Sequence, residues 1–117
     1  MRRDELVLGE MISAGQRAMQ LVEGVEPDAL LLDRLRLEGL LWNLTVLGEA
    51  ASQRSGELKA RFPAVEWRRP TQLRNRLVHG YWSVDVEILH TTARDFLPEF
   101  VAAVEAVLSQ METAEGP

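Results

Sequence analysis

At 117 residues, with 46% hydrophobic and 26% charged residues, the chain has room for one domain with one core and the balance of a soluble globular protein. Its net charge of -5 excludes a surface that is basic throughout. The lack of cysteine excludes disulfides, zinc fingers and cysteine nucleophiles, two histidines are too few for a histidine-rich metal site, and no apolar run approaches the ~20 residues that cross a membrane.

Met1, Arg2 and Arg3 lead directly into Asp4 and Glu5 with no apolar signal core, so a cytoplasmic protein is expected. Leu8, Met11, Ile12, Gly15, Ala18, Met19 and Val22 then recur at three-and-four spacing and predict a first helix. A longer second helix is predicted to open near Pro27 or Asp28, with Leu37, Leu40, Leu41, Leu44, Leu47, Gly48 and Ala51 on its main stripe. Leu30, Leu31, Leu35, Trp42 and Val46 lie off that stripe, so this helix is apolar on several faces and one of them is free to meet a second subunit. Residues 54–67 read as a connector with one short helical turn, broken by Gly56 and Pro63. A third helix is expected from Pro70 and Thr71 to His79, closed by Gly80 in a left-handed conformation. Ser83 suits the cap of a fourth helix, with Asp85 and Glu87 in its first turn. Leu89, Ala93, Phe96, Phe100, Val104, Val107 and Met111 continue the core face, with a kink or fresh start at Pro98. Nothing alternates with a strand period. The predicted architecture is an all-α, up-and-down bundle of four to five helices in a single domain over residues 1–112, with a frayed tail over 113–117.

The chemistry is concentrated in one stretch. Arg74 is followed directly by Asn75, five residues later by His79, and two further on by Tyr81. A guanidinium matches phosphate oxygens, and imidazole suits proton transfer near neutral pH. Residues 54–81 hold seven basic and two acidic side chains, a local charge of +5 on a chain of -5. Such an island is a focused anion site or, more plainly, a solvated basic helix face. On a helix, Asn75 and His79 share a face, but Arg74 and His79 stand about 140° apart around the axis. Either the helix ends at His79 and frees the imidazole, or two copies meet across a two-fold axis and line one groove with an Arg and a His from both subunits. Duller readings stand beside these. Arg74 and Arg76 each suit a structural ion pair, and Arg76 otherwise adds charge to the groove. His90 suits a surface or half-buried structural role. Trp42, Trp67 and Trp82 suit core or interface, with Trp82 the candidate to contact a substrate, and Glu49 reads as an interior hydrogen-bonding acid that reaches the third helix.

The string RNRLVHGY at residues 74–81 resembles the R-x4-H-x-Y signature of the HepT-like toxins of the HEPN superfamily. LGEAA at residues 47–51, FPAVEW at 62–67 and RDFLPEF at 94–100 are similar to further elements of that family, in the same order. The resemblance covers residues 40–108 well and the first helix loosely. It implies a HEPN-like helical bundle and a metal-independent endoribonuclease, without cofactor, that cleaves RNA by 2′-hydroxyl attack at a groove between the subunits of a homodimer. Arg74 would bind and polarise the scissile phosphate, and His79 would act as general base or acid. Asn75 would orient the phosphate or the imidazole, and Tyr81 would contact substrate. The resemblance also implies a toxin–antitoxin pair, in which a nucleotidyltransferase antitoxin attaches AMP to Tyr81. Gly80 departs from the acidic residue that relatives often carry there. Two other classes fit the residues less well. One is a non-catalytic companion of a nucleotidyltransferase, binding a nucleotide or the partner. The other is a DNA-binding helical domain, which the acidic chain and the lack of one long basic helix disfavour.

Overall fold

A computed structural model of the chain describes residues 2–80 and 83–114, and every regular element among them is helical. The expected all-α bundle is therefore what the chain forms. Helix α1 spans Arg2–Val22 and buries Leu8, Met11, Ala14, Gly15, Ala18 and Val22 along one stripe. Two residues past its end stands Gly24, whose φ of 70° turns the chain in a conformation that a side chain would resist.

The long second helix expected from Pro27 is instead two helices, α2 (Pro27–Leu32) and α3 (Arg34–Ser52). Asp33 separates them. Its φ of -99° and ψ of 87° are not helical, and its carboxylate accepts the Arg36 N–H at 3.1 Å as the cap of α3. A short acidic side chain that can bond the backbone ahead of it favours this exit over a continued helix. Of the off-stripe residues, Leu30 is buried, whereas Leu31, Leu35 and Trp42 are exposed.

The connector carries helix α4 (Gly56–Arg61), which Gly56 begins rather than breaks. Ser55 caps it by accepting the Leu58 N–H at 3.0 Å. Ser55 is in turn held by Asp4, a buried acid at the start of α1, which accepts its N–H at 3.0 Å and its hydroxyl at 2.6 Å. Helix α5 spans Arg68–Gly80. Pro70 lies in its first turn, where a missing N–H costs nothing. Gly80 remains helical and does not take the left-handed closing position expected of it.

Asp85, and not Ser83, caps helix α6 (Val86–Thr91), accepting the Glu87 N–H at 2.9 Å. The Ser83 hydroxyl donates to the Gly80 carbonyl instead, at 2.7 Å. A π-helical turn over Thr92–Phe96 leads into α7 (Leu97–Ala114), with Pro98 at its second residue. Pro98 has no N–H to continue an α-helical ladder, and the wide turn before it provides the interruption expected there.

The four longest helices are the bundle: α7 packs on α1, α1 on α3, and α3 on α5. Two glycines set how close the helices come. A Cβ on Gly15 would strike Val101 of α7, and one on Gly48 would overlap the Cβ of Arg74 and the Pro70 carbonyl oxygen of α5. Between α1 and α3, buried Asn43 accepts the Arg17 Nε–H and donates to the Gly39 carbonyl, both at 2.8 Å. His90 is buried, with its Nε2–H directed to the Val25 carbonyl, which is a structural role.

Gly48→Ala is expected to destabilise the protein by ~1–3 kcal/mol, because the atom it strikes includes backbone that cannot rotate away. Gly9→Ala, at a helical position with nothing within 4 Å of the new Cβ, is expected to gain ~0.5–1 kcal/mol. Urea midpoints at constant slope measure both, and equal midpoints for the two variants would contradict the close α3–α5 contact.

Candidate active site

Helix α5 turns Pro70, Leu77 and Gly80 inward and leaves Arg68, Gln72, Asn75 and His79 exposed. These four exposed residues recur at i, i+4, i+7 and i+11, so they form one strip along the helix. Arg74 lies at the border between the two faces, where α5 presses on α3. Gly48 permits this: without a side chain there, the Arg74 stem rests against α3.

The guanidinium of Arg74 is held at two edges. Nη2 faces Oε2 of Glu49 at 3.0 Å, and Nη1 donates to Oδ1 of Asn75 at 2.9 Å. Nε is buried and has no hydrogen-bond partner. The pairing of Arg74 with an acid is the plain reading of the residue made actual, but it also aims the fork. Glu49 reaches the third long helix as expected, yet it is half exposed and not an interior acid. An ion pair this exposed contributes only ~0–1 kcal/mol. Its effect is on the direction of the guanidinium, and a phosphate can displace the carboxylate.

His79 stands exposed one residue before the end of α5 and makes no hydrogen bond or ion pair among the described residues. Because α5 continues through Gly80, the helix does not end at His79, and the imidazole remains about 140° from Arg74 around the axis. Within one chain, then, the structure brings Arg74 and Asn75 together and leaves His79 apart. Arg76 falls on the other flank, about 160° from Arg74, where it lines a small cavity with Ile88 and Phe96. Tyr81 and Trp82 lie outside the described residues. No group of three His, Cys, Asp or Glu side chains among the described residues is placed to hold a metal.

An apolar groove of about 400 Å³ runs beside the Arg74–Glu49 pair. Leu6, Trp42, Val46 and Ala50 line it, and Glu49 forms part of its wall. Trp42 is 67% exposed and Leu6 66%, and Val78 on α5 is 51% exposed. Large apolar side chains so uncovered mark a surface for association. Trp67, by contrast, is core, with its Nε1–H donating to the Phe62 carbonyl at 2.9 Å.

Fold and site together define a small helical bundle that presents an oriented arginine and an exposed histidine on one helix. A family model described as "Ribonuclease HepT-like" matches residues 11–107, and the chain belongs to that family. It is 31% identical over 62 residues to a "Probable ribonuclease HepT" of Thermococcus cleftensis, a match that covers 53% of this chain and only 56% of that protein. Two proteins of Methanocaldococcus jannaschii are also similar. "Putative RNase MJ0127" is 25% identical over 73% of this chain and 70% of its own length, and "Putative RNase MJ1380" is 21% identical over 86% and 92%. No solved structure matches the chain.

Replacing Glu49 by Ala is expected to free the guanidinium while changing stability by no more than ~1 kcal/mol. The Arg74 Nε–H resonance should be sharp and slow to exchange in the parent protein and broadened or lost in Glu49→Ala. An unchanged resonance would show that Glu49 does not hold Arg74.

Proposed function

We propose that the protein is a metal-independent endoribonuclease acting at a groove between two copies of the chain. The observation that carries this reading is the Arg74 guanidinium, aimed by Glu49 and Asn75 at the edge of an exposed apolar surface, on the same helix as an exposed His79. Pairing two chains through Trp42, Leu6 and Val46 would cover that surface and bring the two Arg74–Glu49 pairs to a common seam. His79 of each copy then has a route to an Arg74 that its own helix denies it.

In this groove, Arg74 binds the non-bridging oxygens of the scissile phosphate and stabilises the charge that develops there. His79 removes the proton of the ribose 2′-hydroxyl, or donates one to the leaving 5′-oxygen. The 2′-oxygen–phosphorus bond forms as the phosphorus–5′-oxygen bond breaks, which leaves a 2′,3′-cyclic phosphate and a 5′-hydroxyl. The requirement for a 2′-hydroxyl selects RNA over DNA. Asn75 keeps the guanidinium in plane, and Arg76 adds positive charge from the far flank.

The same reading makes the chain the toxin of a toxin–antitoxin pair. Its nucleotidyltransferase antitoxin attaches AMP to Tyr81, two residues beyond His79, and the added phosphodiester competes with substrate for Arg74. The Arg74–Glu49 ion pair also suits a non-catalytic companion of a transferase, in which the arginine is structural. Activity separates the two.

His79→Ala and Arg74→Ala are each expected to lower cleavage of a mixed RNA pool by ~10²- to 10⁴-fold with helicity unchanged, and chelators should have no effect. Cleavage that stops with EDTA would reject the metal-free mechanism, and a parent protein that cleaves no RNA would favour the companion role. For the modification, mass spectrometry of protein co-expressed with its transferase should show an AMP adduct on the Tyr81 peptide, absent in Tyr81→Phe. An unmodified peptide from a fully neutralised protein would mean that the antitoxin acts by occlusion.

A further inference from the structure

A second feature of α5 lies at its other end. Between α4 and the first turns of α5 is a cleft of about 850 Å³, lined by Lys59, Ala60, Val65, Arg68, Arg69 and Gln72 among others. Lys59 and Arg68 are exposed and make no hydrogen bond or ion pair among the described residues. Arg69 lies over the Phe96 ring, 4.2 Å from its centroid, with Glu66 a distant 4.0 Å away.

The walls of this cleft are fixed before any ligand arrives. Trp67 is 2% exposed and its Nε1–H ties down the Phe62 carbonyl at 2.9 Å, while the backbone N–H groups of Phe62, Val65 and Trp67 close successive turns of the loop. Buried Asp4 fixes Ser55, which caps α4. A short basic helix is thus pinned to the bundle at both ends. The cleft opens onto the exposed strip of α5. Arg68 and Gln72 belong to both, and the strip continues through Asn75 to His79. Eleven residues of helix span about 16 Å, room for several nucleotides of an extended strand.

We propose that this cleft binds the single-stranded RNA that flanks the scissile phosphate and leads it along α5 to His79. The inference rests on the ribonuclease reading and adds a substrate path to it. Three features favour RNA. Lys59 and Arg68, both lining the cleft, are cations without a partner among the described residues. The chain is acidic overall, so the field that attracts a polyanion is concentrated on this face. The cleft also continues onto the exposed strip of α5, a path along one helix that suits a single strand. No exposed aromatic ring lines the cleft, since Trp67 is turned inward. Binding there is therefore driven by phosphate and tolerant of base sequence.

The test uses the full chain with labelled single-stranded RNA of twelve nucleotides and of three. Binding is read by fluorescence anisotropy on His79→Ala protein, and cleavage by the otherwise unchanged enzyme. Lys59→Gln combined with Arg68→Gln is expected to weaken binding of the twelve-mer roughly tenfold and to flatten the log–log salt slope by about 1.4, for two lost phosphate contacts. KM for the twelve-mer should rise accordingly with kcat within about twofold, and the three-mer should be handled alike by both proteins. Arg94→Gln, a charge change at a residue that does not line the cleft, should leave all of these values at parent level. Unchanged twelve-mer binding in the double variant would overturn the proposal. So would an equal loss on the three-mer, which would place the two residues at the reacting phosphate. Failure of the parent enzyme to cleave would count against the ribonuclease reading alone, because the anisotropy arm does not depend on cleavage.

Discussion

The contact of α5 with the backbone of α3 at Gly48 governs where every group of the candidate site stands. A side chain at this position would overlap Arg74 and the Pro70 carbonyl, so glycine is what lets the two helices touch. The closeness has a chemical consequence one residue on. Glu49 comes within 3.0 Å of the Arg74 guanidinium, and the arginine stem is laid down so that Nε is buried. Asp4 acts at the other end of the same unit. By capturing Ser55 it fixes α4, and α4 with the Trp67 loop sets where α5 begins. Helix α5 is therefore held at its start by a buried carboxylate and at its middle by a missing side chain.

If Arg74 binds phosphate as proposed, the strength of its ion pair matters. A fully buried pair would hold the arginine too firmly to yield it to substrate, and an unpaired arginine would sample many directions. The Arg74–Glu49 pair is partly exposed and worth ~0–1 kcal/mol, which orients the fork and still lets a phosphate with several acceptor oxygens replace the carboxylate. Asn75 contributes from its own helix, at no cost in long-range order, because it is the next residue. Among the described residues, the solvent-facing strip of α5 offers no such restraint to His79.

Much of this was legible in the sequence, for identifiable reasons. Leu8 to Val22 and Leu40 to Ala51 carry a strong helical period, and burial follows that period closely. The break at Asp33 was not read, because Leu30, Leu31 and Leu35 keep an apolar rhythm across it while the capping carboxylate acts only locally. Gly80 was read as a helix end on propensity alone, yet it stays in α5 and its carbonyl accepts from Ser83. The site residues Arg74, Asn75 and His79 were visible as a motif, but their relation was not. That relation depends on α3 crossing α5 at Gly48, a contact across 26 residues that no local pattern encodes. Asp4 and Asn43 were missed for the same reason, since each is a polar residue whose partner lies far along the chain. The basic residues of α4 and α5 were read as one island, whereas the structure divides them between the cleft, the Arg74 border and the Arg76 flank.

The central claim is that Arg74 and His79 act together from different chains. Subunit mixing tests it most directly. On this reading Arg74→Ala and His79→Ala proteins should each be inactive as homodimers, and refolding them together should yield mixed dimers in which one groove regains an intact arginine from one copy and an intact histidine from the other. RNA cleavage should reappear in the mixture, at about half of the parent rate per mixed dimer, since one of two equivalent sites is restored. Mixed dimers that form but stay inactive would show that the two residues must reside in one chain, and would contradict the shared groove.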